Sequence, residues 1–213
     1  INMLRIVLFG PQGSGKGTQG QLIKERFGIP HLSMGELLRK EVNSGSQLGQ
    51  EIGSILTSGQ LINDDITNEL IKAHIYGDTP LQGFILDGYP RRLYQAQFLD
   101  SVVSIDVALE LSINDETAVK RLSARWNCAK CGWVYNSESN PPKNAGQCDH
   151  CEGLLFQRDD DKPEAIRQRL ALYHELSKDL RKFYQDKDVH RIVDTSGPIE
   201  DAFEKVVTTL ALR

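Results

Sequence analysis

The 213-residue chain lacks the features that mark several large classes of protein. It has no apolar run near the ~20 residues that a membrane-spanning helix needs, and its first residues lack the basic segment and long apolar stretch of a secretion signal. We therefore expect a soluble, cytoplasmic protein with no membrane partner. The net charge is −4, which gives no overall positive field to attract nucleic acid. With only 18 Gly and 8 Pro, collagen-like and disordered classes are also excluded.

Cysteine is scarce, yet its placement is informative. All four cysteines lie in two Cys-x-x-Cys pairs separated by sixteen residues: Cys128, Cys131, Cys148 and Cys151. This spacing lets four thiolates surround one ion as a tetrahedron with no open position, which predicts a structural metal site. Zinc is the expected ion, and iron is the alternative that tetrahedral sulfur sites also take. Disulfides are disfavoured in a reducing cytoplasm, and a redox pair normally comes singly at a helix start.

Most of the chain alternates short apolar runs with helical patterns. The apolar runs that predict buried strands are Leu4–Phe9, Ile29–Leu32, Phe84–Leu86, Val107–Leu111 and Arg191–Val193. Helical patterns cover Thr18–Phe27, Met34–Asn43, Asp65–Tyr76, Leu93–Leu99 and Glu116–Arg125. This order predicts an α/β fold with a doubly wound, five-stranded parallel sheet.

The rest of the chain contains one clear helix and two interruptions. Apolar residues recur at steps of three and four from Ile166 to Phe183, which predicts the last long helix of the chain. Ser44–Asn63 and Trp126–Phe156 break the alternation, so we expect them to be insertions on the sheet. We expect Trp133 and Tyr135 to pack beneath the metal in the second insertion.

A glycine-rich loop follows the first predicted strand and precedes a helix. Four of its nine residues, from Gly10 to Thr18, are glycines. Such a loop can turn its backbone N–H groups inward around phosphate oxygens, and Lys16 adds a mobile charge. Phosphate-binding loops of this pattern usually carry Ser or Thr directly after the lysine, but Gly17 stands there. We therefore expect Mg²⁺ to be held through water rather than by a direct hydroxyl ligand.

One carboxylate follows a buried strand. Asp87 comes directly after the apolar residues Phe84, Ile85 and Leu86, so it emerges at the carboxyl edge of the sheet beside the phosphate loop. We assign Asp87 to Mg²⁺, through water.

Six segments in order resemble the nucleoside monophosphate kinases, and adenylate kinase most closely. With the loop GPQGSGKGTQ, the segments are His31–Arg39, Gly59–Leu61, Asp87–Arg91, Arg121–Arg125, Arg158–Asp161 and Val193-Asp194. The resemblance runs nearly end to end. It implies a P-loop enzyme that reversibly transfers a phosphoryl group from Mg-ATP to AMP, giving two ADP, and it implies nucleotides as the partners. We expect a monomer.

The resemblance also implies the site residues. The residues expected to carry the transfer are Lys16, Asp87, Arg91, Arg125, Arg158 and Arg169. Those expected at ATP are Gly10, Gly13, Ser14, Gly15, Lys16, Gly17, Thr18, Arg121 and Arg125. Those expected at AMP are Ser33, Met34, Arg39, Gln60, Leu61, Ile62, Gly88, Arg91, Gln95, Arg158 and Arg169. Gln95 stands where the family reads the adenine of AMP. Arg92 has no motif behind it and is expected to be a surface charge.

The family pattern also implies three bodies. Residues 1–32, 62–123 and 162–213 are expected to form the core domain. Residues 33–61 are expected to form a mobile arm that binds AMP, and residues 124–161 a mobile lid that carries the metal. Many long-lid bacterial members have a four-cysteine site of this kind.

Two alternatives remain open at this point. Adenylate kinases usually carry Thr where this chain has Met34, so the enzyme could prefer CMP, UMP or GMP. A second alternative is an adaptor for nucleic acid or protein built on the cysteine pairs, with the glycine-rich loop as a regulatory nucleotide site. Against the adaptor, Trp126–Phe156 has two Lys and no Arg against three acidic residues, so it forms no basic patch.

Overall fold

The computed structural model describes residues 3–57, 62–77 and 80–211, in which strands and helices alternate. The strands are β1 (Arg5–Phe9), β2 (His31–Ser33), β3 (Phe84–Asp87), β4 (Val107–Ser112), β5 (Arg125–Cys128), β6 (Val134–Asn136), β7 (Leu155–Phe156) and β8 (His190–Asp194). The α-helices are α1 (Lys16–Phe27), α2 (Met34–Asn43), α3 (Gln47–Thr57), α4 (Asp64–Ile75), α5 (Leu93–Val102), α6 (Asp115–Ser123), α7 (Pro163–Asp186) and α8 (Ile199–Ala211). A short 3-10 turn, Asp159–Asp161, precedes α7.

Five strands form one parallel sheet in the order β2-β3-β1-β4-β8, as the alternation predicted. The second strand begins later than expected, at His31 instead of Ile29. Pro30 has no N–H to donate, and only its carbonyl joins the sheet by accepting from Ile85 N at 2.8 Å.

Both faces of this sheet are buried. Val7 and Phe9 of β1 face a core completed by helices that include α2, α4, α5 and α7. Ile6 and Leu8 alternate to the other face, which packs with residues of α1 and α8 such as Ile23 and Val206. Since helices cover both faces, the inner strands β1, β3 and β4 can be largely apolar, and this explains why they were visible in the sequence.

Two helices and the short strands of the second insertion were not predicted. Helix α3 lies in the Ser44–Asn63 interruption and packs on α2, although Gly49, Gly53 and Ser54 are weak helix formers. Helix α8 follows α7, so the prediction that α7 is the last long helix is wrong. The β-branched run from Val206 to Thr209 weakens the helical signal of α8, and packing of its apolar stripe against α1 and β8 overrides that preference.

The Trp126–Phe156 insertion forms a small sheet of its own. Strands β6-β5-β7 are antiparallel, and one face packs Tyr135, Cys128 and Cys148 together with Trp126 and Leu155. No helix among the described residues is long and apolar enough to span a bilayer.

Candidate active site at the carboxyl edge of the sheet

The glycine-rich loop connects β1 to α1, as the sequence predicted. Gly10, Gly13 and Gly15 have φ values of 145°, 86° and 85°, in the left-handed region that side chains rarely adopt. A Cβ on Gly10 would lie 2.2 Å from the carbonyl oxygen of Leu111. The backbone can therefore follow this path only with glycine at that position.

Lys16 begins α1 and folds back over the loop. Its Nζ donates to the carbonyl oxygens of Gly10 and Pro11, both at 2.8 Å. Burial is the main cause that lowers the pKa of Lys16 to about 8; Asp87 opposes the shift, and nearby arginines add to it. An anion such as phosphate at this position would restore the preference for the charged form.

Three arginines are held beside the loop by two aspartates. Arg125 forms a two-pronged pair with Asp161 at 2.8 and 2.5 Å, and Arg158 forms one with Asp160 at the same two distances. Arg169 donates to the carbonyl oxygen of Asp160 at 3.0 Å and lies 2.9 Å from its carboxylate. The segment between β7 and α7, which contains Arg158, thus brings together cations from β5 and α7.

These arginines share one electrostatic field with Lys16. Burial lowers the pKa of Arg169 to about 10, with Asp160 opposing the shift and Arg125, Arg158 and Arg91 adding to it. The pKa of Arg91 is also lowered, chiefly by burial. Burial and then Arg158 lower the pKa of Arg39, on α2. The predicted phosphate-site cations therefore converge, apart from Arg121.

Asp87 ends β3 as expected and is 8% exposed. A Cβ on Gly17 would lie 3.6 Å from Asp87 Oδ2, so the carboxylate faces the start of α1. His31 Nε2 lies 3.5 Å from the same oxygen and has no hydrogen-bond partner in the part of the chain that the structure describes. The carboxylate is thus available at the sheet edge beside Lys16.

A second group of predicted residues surrounds Arg91. Arg91 Nε donates to Gly88 O at 2.9 Å, and a Cβ on Gly88, whose φ is 75°, would lie 3.9 Å from Met34 Cβ. Met34 is 2% exposed and, like Ile62, belongs to the core. Ser33 precedes α2 at its N-terminus without capping it through its side chain. Gln60 and Leu61 lie outside the described residues.

Gln95 is 4% exposed, on α5 next to Arg91. Its carbonyl accepts from Arg91 N at 2.6 Å, and its amide nitrogen donates to Asp64 Oδ1 at 2.8 Å. Arg92 is partly exposed and pairs with Asp64 Oδ2 at 3.3 Å. Arg92 thus stays partly at the surface, as expected, and forms an ion pair that was not predicted.

Arg121 lies at the other end of the loop. Its guanidinium donates to the carbonyl oxygens of Ser196 and Gly197, both at 3.0 Å, in the connection between β8 and α8. Ser14 lies nearby, since its carbonyl accepts from Thr195 Oγ1 at 2.9 Å. The Ser14 hydroxyl is buried and has no hydrogen-bond partner among the described residues. Thr18 is exposed in the first turn of α1.

The four cysteines meet at one point, as their spacing predicted. Their sulfur atoms all lie within 4.8 Å of one another, and Cys128–Cys151 and Cys131–Cys148 are 3.4 and 3.6 Å apart. These separations are too long for disulfide bonds and suit four sulfurs that share one tetrahedral ion. The backbone N–H groups of Lys130 and Cys131 point at Cys128 Sγ, both at 3.4 Å.

The protonation behaviour of the cluster fits a bound cation. Burial opposes ionisation of Cys148, but a hydrogen bond from Tyr135 and two from backbone N–H groups lower its pKa to about 6. Burial and the neighbouring sulfurs raise the pKa of Cys131 to about 12. Four thiolates therefore cannot coexist here unless a cation balances them.

Only one of the two aromatics expected beneath the metal packs there. Tyr135 is 3% exposed, and its hydroxyl donates to Cys148 Sγ at 3.5 Å and accepts from Asp149 N at 2.7 Å. The prediction is wrong for Trp133, which is 38% exposed and stacks on His150 with 4.0 Å between ring centres. Trp133 directly precedes β6 and lies against a residue between Cys148 and Cys151, but its ring stays partly exposed.

Comparison with known proteins shows to which family this chain belongs. A family model described as "Adenylate kinase" matches residues 8–189. A protein named adenylate kinase from Methanothrix thermoacetophila is 40% identical over 98% of this chain and 99% of its own length. One of the same name from Syntrophomonas wolfei is 42% identical, with 87% and 89% covered. The chain belongs to the adenylate kinase family.

Adenylate kinases are nucleoside monophosphate kinases, and the adaptor alternative does not fit that family. No role was predicted for Asp160 and Asp161, although both belong to the Arg-x-Asp-Asp segment. None was predicted for Asp64 either, which stands two residues after Ile62. The signal that could have identified Asp160 and Asp161 is their position close to Arg158 in the sequence, since a predicted phosphate-site arginine can pair with a nearby carboxylate.

Proposed function

We propose that this protein catalyses reversible transfer of a phosphoryl group from Mg-ATP to AMP, giving two ADP. The observation that carries the proposal is the convergence of Lys16, Arg91, Arg125, Arg158 and Arg169 at the carboxyl edge of the parallel sheet. Two nucleotides bring roughly seven phosphate charges together, and such a transfer depends on positioning and charge stabilisation. A cleft with this many half-buried cations is suited to hold both nucleotides at once.

The donor nucleotide is assigned to the glycine-rich loop and its surroundings. Lys16 would exchange its two loop carbonyls for the β- and γ-phosphates of ATP. Arg121, placed by the β8–α8 connection, would contact the adenine and phosphates of ATP, and Arg125 the transferring group. The backbone and side chains assigned to ATP are Gly10, Gly13, Ser14, Gly15, Gly17 and Thr18.

The acceptor is assigned to the opposite side, around Arg91. Arg39 and Arg91 would hold the AMP phosphate, and Arg158 and Arg169 would lie between the two nucleotides, in keeping with their shared field. The arginine fork can contact two phosphate oxygens at once and stays charged at neutral pH. The remaining groups assigned to AMP are Ser33, Met34, Gln60, Leu61, Ile62, Gly88 and Gln95.

In the transfer, an oxygen of the AMP phosphate forms a bond to the γ-phosphorus of ATP. The bond from that phosphorus to the β–γ bridging oxygen breaks, and its electron pair stays on the leaving ADP. The AMP phosphate is already largely ionised at neutral pH, because its second pKa is about 6, so no general base is needed. Lys16 and the arginines stabilise the charge that spreads over the transferring oxygens.

Asp87 is the residue that would hold Mg²⁺, through water. Its carboxylate, 8% exposed, faces the start of α1 beside Lys16, which suits a hard cation that keeps most of its water. Gly17 offers no hydroxyl ligand, so the carboxylate is the protein's anionic contribution. The ion supplies neutralisation of the β- and γ-phosphate charges.

We assign three bodies to the chain: a core of residues 1–32, 62–123 and 162–213, an arm of residues 33–61, and a lid of residues 124–161. The arm supplies Arg39 and the lid supplies Arg125 and Arg158, so the set of cations is complete only when both lie over the core. Their closing would exclude water, which would otherwise accept the phosphoryl group.

The metal of the cysteine cluster is assigned as zinc, because four thiolates without an open position suit a structural zinc site; iron is the alternative. A lid with so small an apolar core gains its folding energy from such an ion. Four thiols kept for metal binding fit a reducing compartment, so we place the protein in the cytoplasm. We also expect it to act as a monomer.

A coupled assay of ADP formation from ATP and AMP tests the proposed reaction. We expect turnover with AMP far above the rate of ATP hydrolysis in its absence, and we expect Lys16→Met to lower kcat about 100-fold or more. Equal rates with AMP and with water as acceptor would refute the proposal.

Rates with AMP, CMP, UMP and GMP then test the choice of acceptor. Gln95 is the residue assigned to the adenine, so we expect AMP to be preferred despite the missing threonine at Met34. A Met34→Thr variant with a greatly increased preference for AMP would show instead that Met34 shapes the base site.

A further inference from the structure

A buried hydrogen-bond network lies on the acceptor side, away from the transferring phosphates. Its centre is the Gln95 amide, 4% exposed. The amide nitrogen donates to Asp64 Oδ1 at 2.8 Å and to Thr67 Oγ1 at 3.1 Å, and the amide oxygen accepts from Arg91 N at 2.6 Å. Asp64 is the first residue of α4, and Thr67 is one turn further on.

The chemistry of these neighbours permits only one orientation of the amide. The Arg91 N–H can only donate, and the Asp64 carboxylate accepts. Thr67 uses its own hydroxyl hydrogen on Asp64 O at 2.9 Å, so its oxygen is left to accept. A reversed amide would set NH₂ against N–H and carbonyl oxygen against carboxylate, which leaves buried groups unpaired.

Asp64 is itself held in place from the other side. Its second carboxylate oxygen, Oδ2, lies 3.3 Å from Arg92 Nη1, while Oδ1 receives the Gln95 amide. Asn63 caps α4 by accepting from Asp65 N at 2.8 Å, which fixes the backbone of this turn. The position of the carboxylate is therefore set by both an ion pair and a helix start.

Among the described residues, the network leaves Gln95 with a single remaining hydrogen-bonding capacity. Both hydrogens of its NH₂ group are used, and one of the two lone pairs of its oxygen is used. What remains is one lone pair, so Gln95 can accept a hydrogen bond but cannot donate one. A base with an amino group can satisfy that lone pair, whereas a base with a carbonyl oxygen at the same place would face it unpaired.

We propose that Asp64 is a positioning residue that fixes Gln95 as an acceptor and thereby selects monophosphates whose base carries an exocyclic amino group over those with a keto group there. This inference rests on the proposed assignment of Gln95 to the acceptor base.

The test compares AMP with IMP, which differ in the amino or keto group at C6 of the purine. We measure kcat and KM for both acceptors with the wild type, Asp64→Ala and Asp65→Ala. Asp65 is the matched control, because it is exposed in the same first turn of α4 and removes the same charge without touching Gln95. Asp64→Ala removes the charged one of the three contacts that orient the Gln95 amide and leaves those to Arg91 N and Thr67 Oγ1, so the amide turns more readily and can offer NH₂ to the keto group.

For Asp64→Ala we expect KM to rise for AMP and to fall for IMP, with kcat nearly unchanged. The ratio of kcat/KM between AMP and IMP should fall about tenfold, as expected for loss of one well-oriented base contact. Asp65→Ala should keep the wild-type ratio. Asp64→Asn keeps an oxygen that can accept the Gln95 hydrogen bond, so the AMP-to-IMP ratio of kcat/KM should fall less in this variant. If Asp64→Ala does not fold, Asp64→Asn replaces it in the test, with Asp65→Asn as the control.

A parallel rise of both KM values, or an unchanged ratio in Asp64→Ala, would overturn the inference, since a merely structural defect would not favour IMP. A wild-type enzyme that uses AMP and IMP equally well would also overturn it and would leave phosphoryl transfer to AMP intact. Failure of the proposed function would be distinct, because it would abolish wild-type turnover with AMP itself.

Discussion

The cysteine cluster and the phosphate cleft both crowd ionisable groups of one kind, but they differ in how the protein balances them. In the cleft, Asp160, Asp161 and loop carbonyls satisfy the cations before any ligand binds. In the cluster, only N–H groups and the Tyr135 hydroxyl approach the sulfurs among the described residues. We therefore expect the cleft to stay folded without its ligand and to exchange it, whereas we expect the cluster to need a permanently bound ion.

Removing the metal should give the largest effect. Structural zinc contributes on the order of 10 kcal/mol or more to the folding of small metal-binding units, so chelation should unfold the Trp126–Phe156 segment while the parallel sheet remains. Hydrogen exchange read residue by residue measures this, with Mg²⁺ kept at its full concentration.

Removing bound nucleotide while the metal stays in place serves as the control. Both the parallel sheet and the Trp126–Phe156 segment should then remain folded. Re-addition of zinc should restore protection of β5–β7. Unchanged hydrogen exchange in β5–β7 after verified metal loss would show that the cysteine cluster, like the cleft, stays folded without its ligand.

The next largest effect should come from removing a counter-charge in the cleft. Asp161 is 6% exposed and grips Arg125 with both oxygens, so Asp161→Asn should lower the free energy of unfolding by about 3 kcal/mol in the nucleotide-free protein. A bound nucleotide would supply the missing negative charge, so the loss should shrink in its presence. Thermal unfolding with and without a non-hydrolysable ATP analogue measures both.

Asp115→Asn is the control for that loss, since Asp115 pairs with His174 at an exposed site. An exposed pair contributes about 1 kcal/mol or less, and nucleotide should not change the effect. An equal loss with and without nucleotide in Asp161→Asn would contradict the idea that Asp161 stands in for phosphate.

The two regions also differ in how much of them could be predicted from sequence. The Cys-x-x-Cys pairs and the glycine-rich loop were predicted in full, because fixed short spacings carry their geometry. The pairing of Asp160 and Asp161 with arginines was not, since which carboxylate meets which guanidinium depends on how β7 and α7 are placed. Likewise, the five sheet strands were found from continuous apolar runs, while α8 depends on tertiary packing against α1.

A smaller effect should follow when one of the few groups that approach the sulfurs is removed. Tyr135→Phe removes the hydroxyl that joins Cys148 Sγ to Asp149 N but keeps the buried ring. Metal affinity should fall about 10- to 100-fold, as for other partners that orient metal ligands. Competition with a chromophoric chelator measures this, and Trp133→Phe, which alters a partly exposed ring in the same segment, should change the affinity little. A full-strength metal site in Tyr135→Phe would show that the hydroxyl plays no part.

The smallest effect concerns the dependence of nucleotide binding on pH, and it separates an exchangeable ligand from a permanent one. Burial, its largest cause, lowers the pKa of Lys16 to about 8 in the free protein, so the ammonium is charged below that pH and loses its proton above it. Bound phosphate favours the charged form and raises this pKa, so binding takes up a proton at higher pH. ATP affinity should therefore be full below pH 8 and fall about tenfold between pH 7 and pH 9. Phosphate ionisation is nearly complete over this range and adds little to the pH dependence.

Calorimetric titration measures the ATP affinity, and Lys16→Met should bind ATP more weakly with no such dependence on pH. An equal decline in Lys16→Met would assign the titration to another group, and the ammonium would then be held by its loop carbonyls alone.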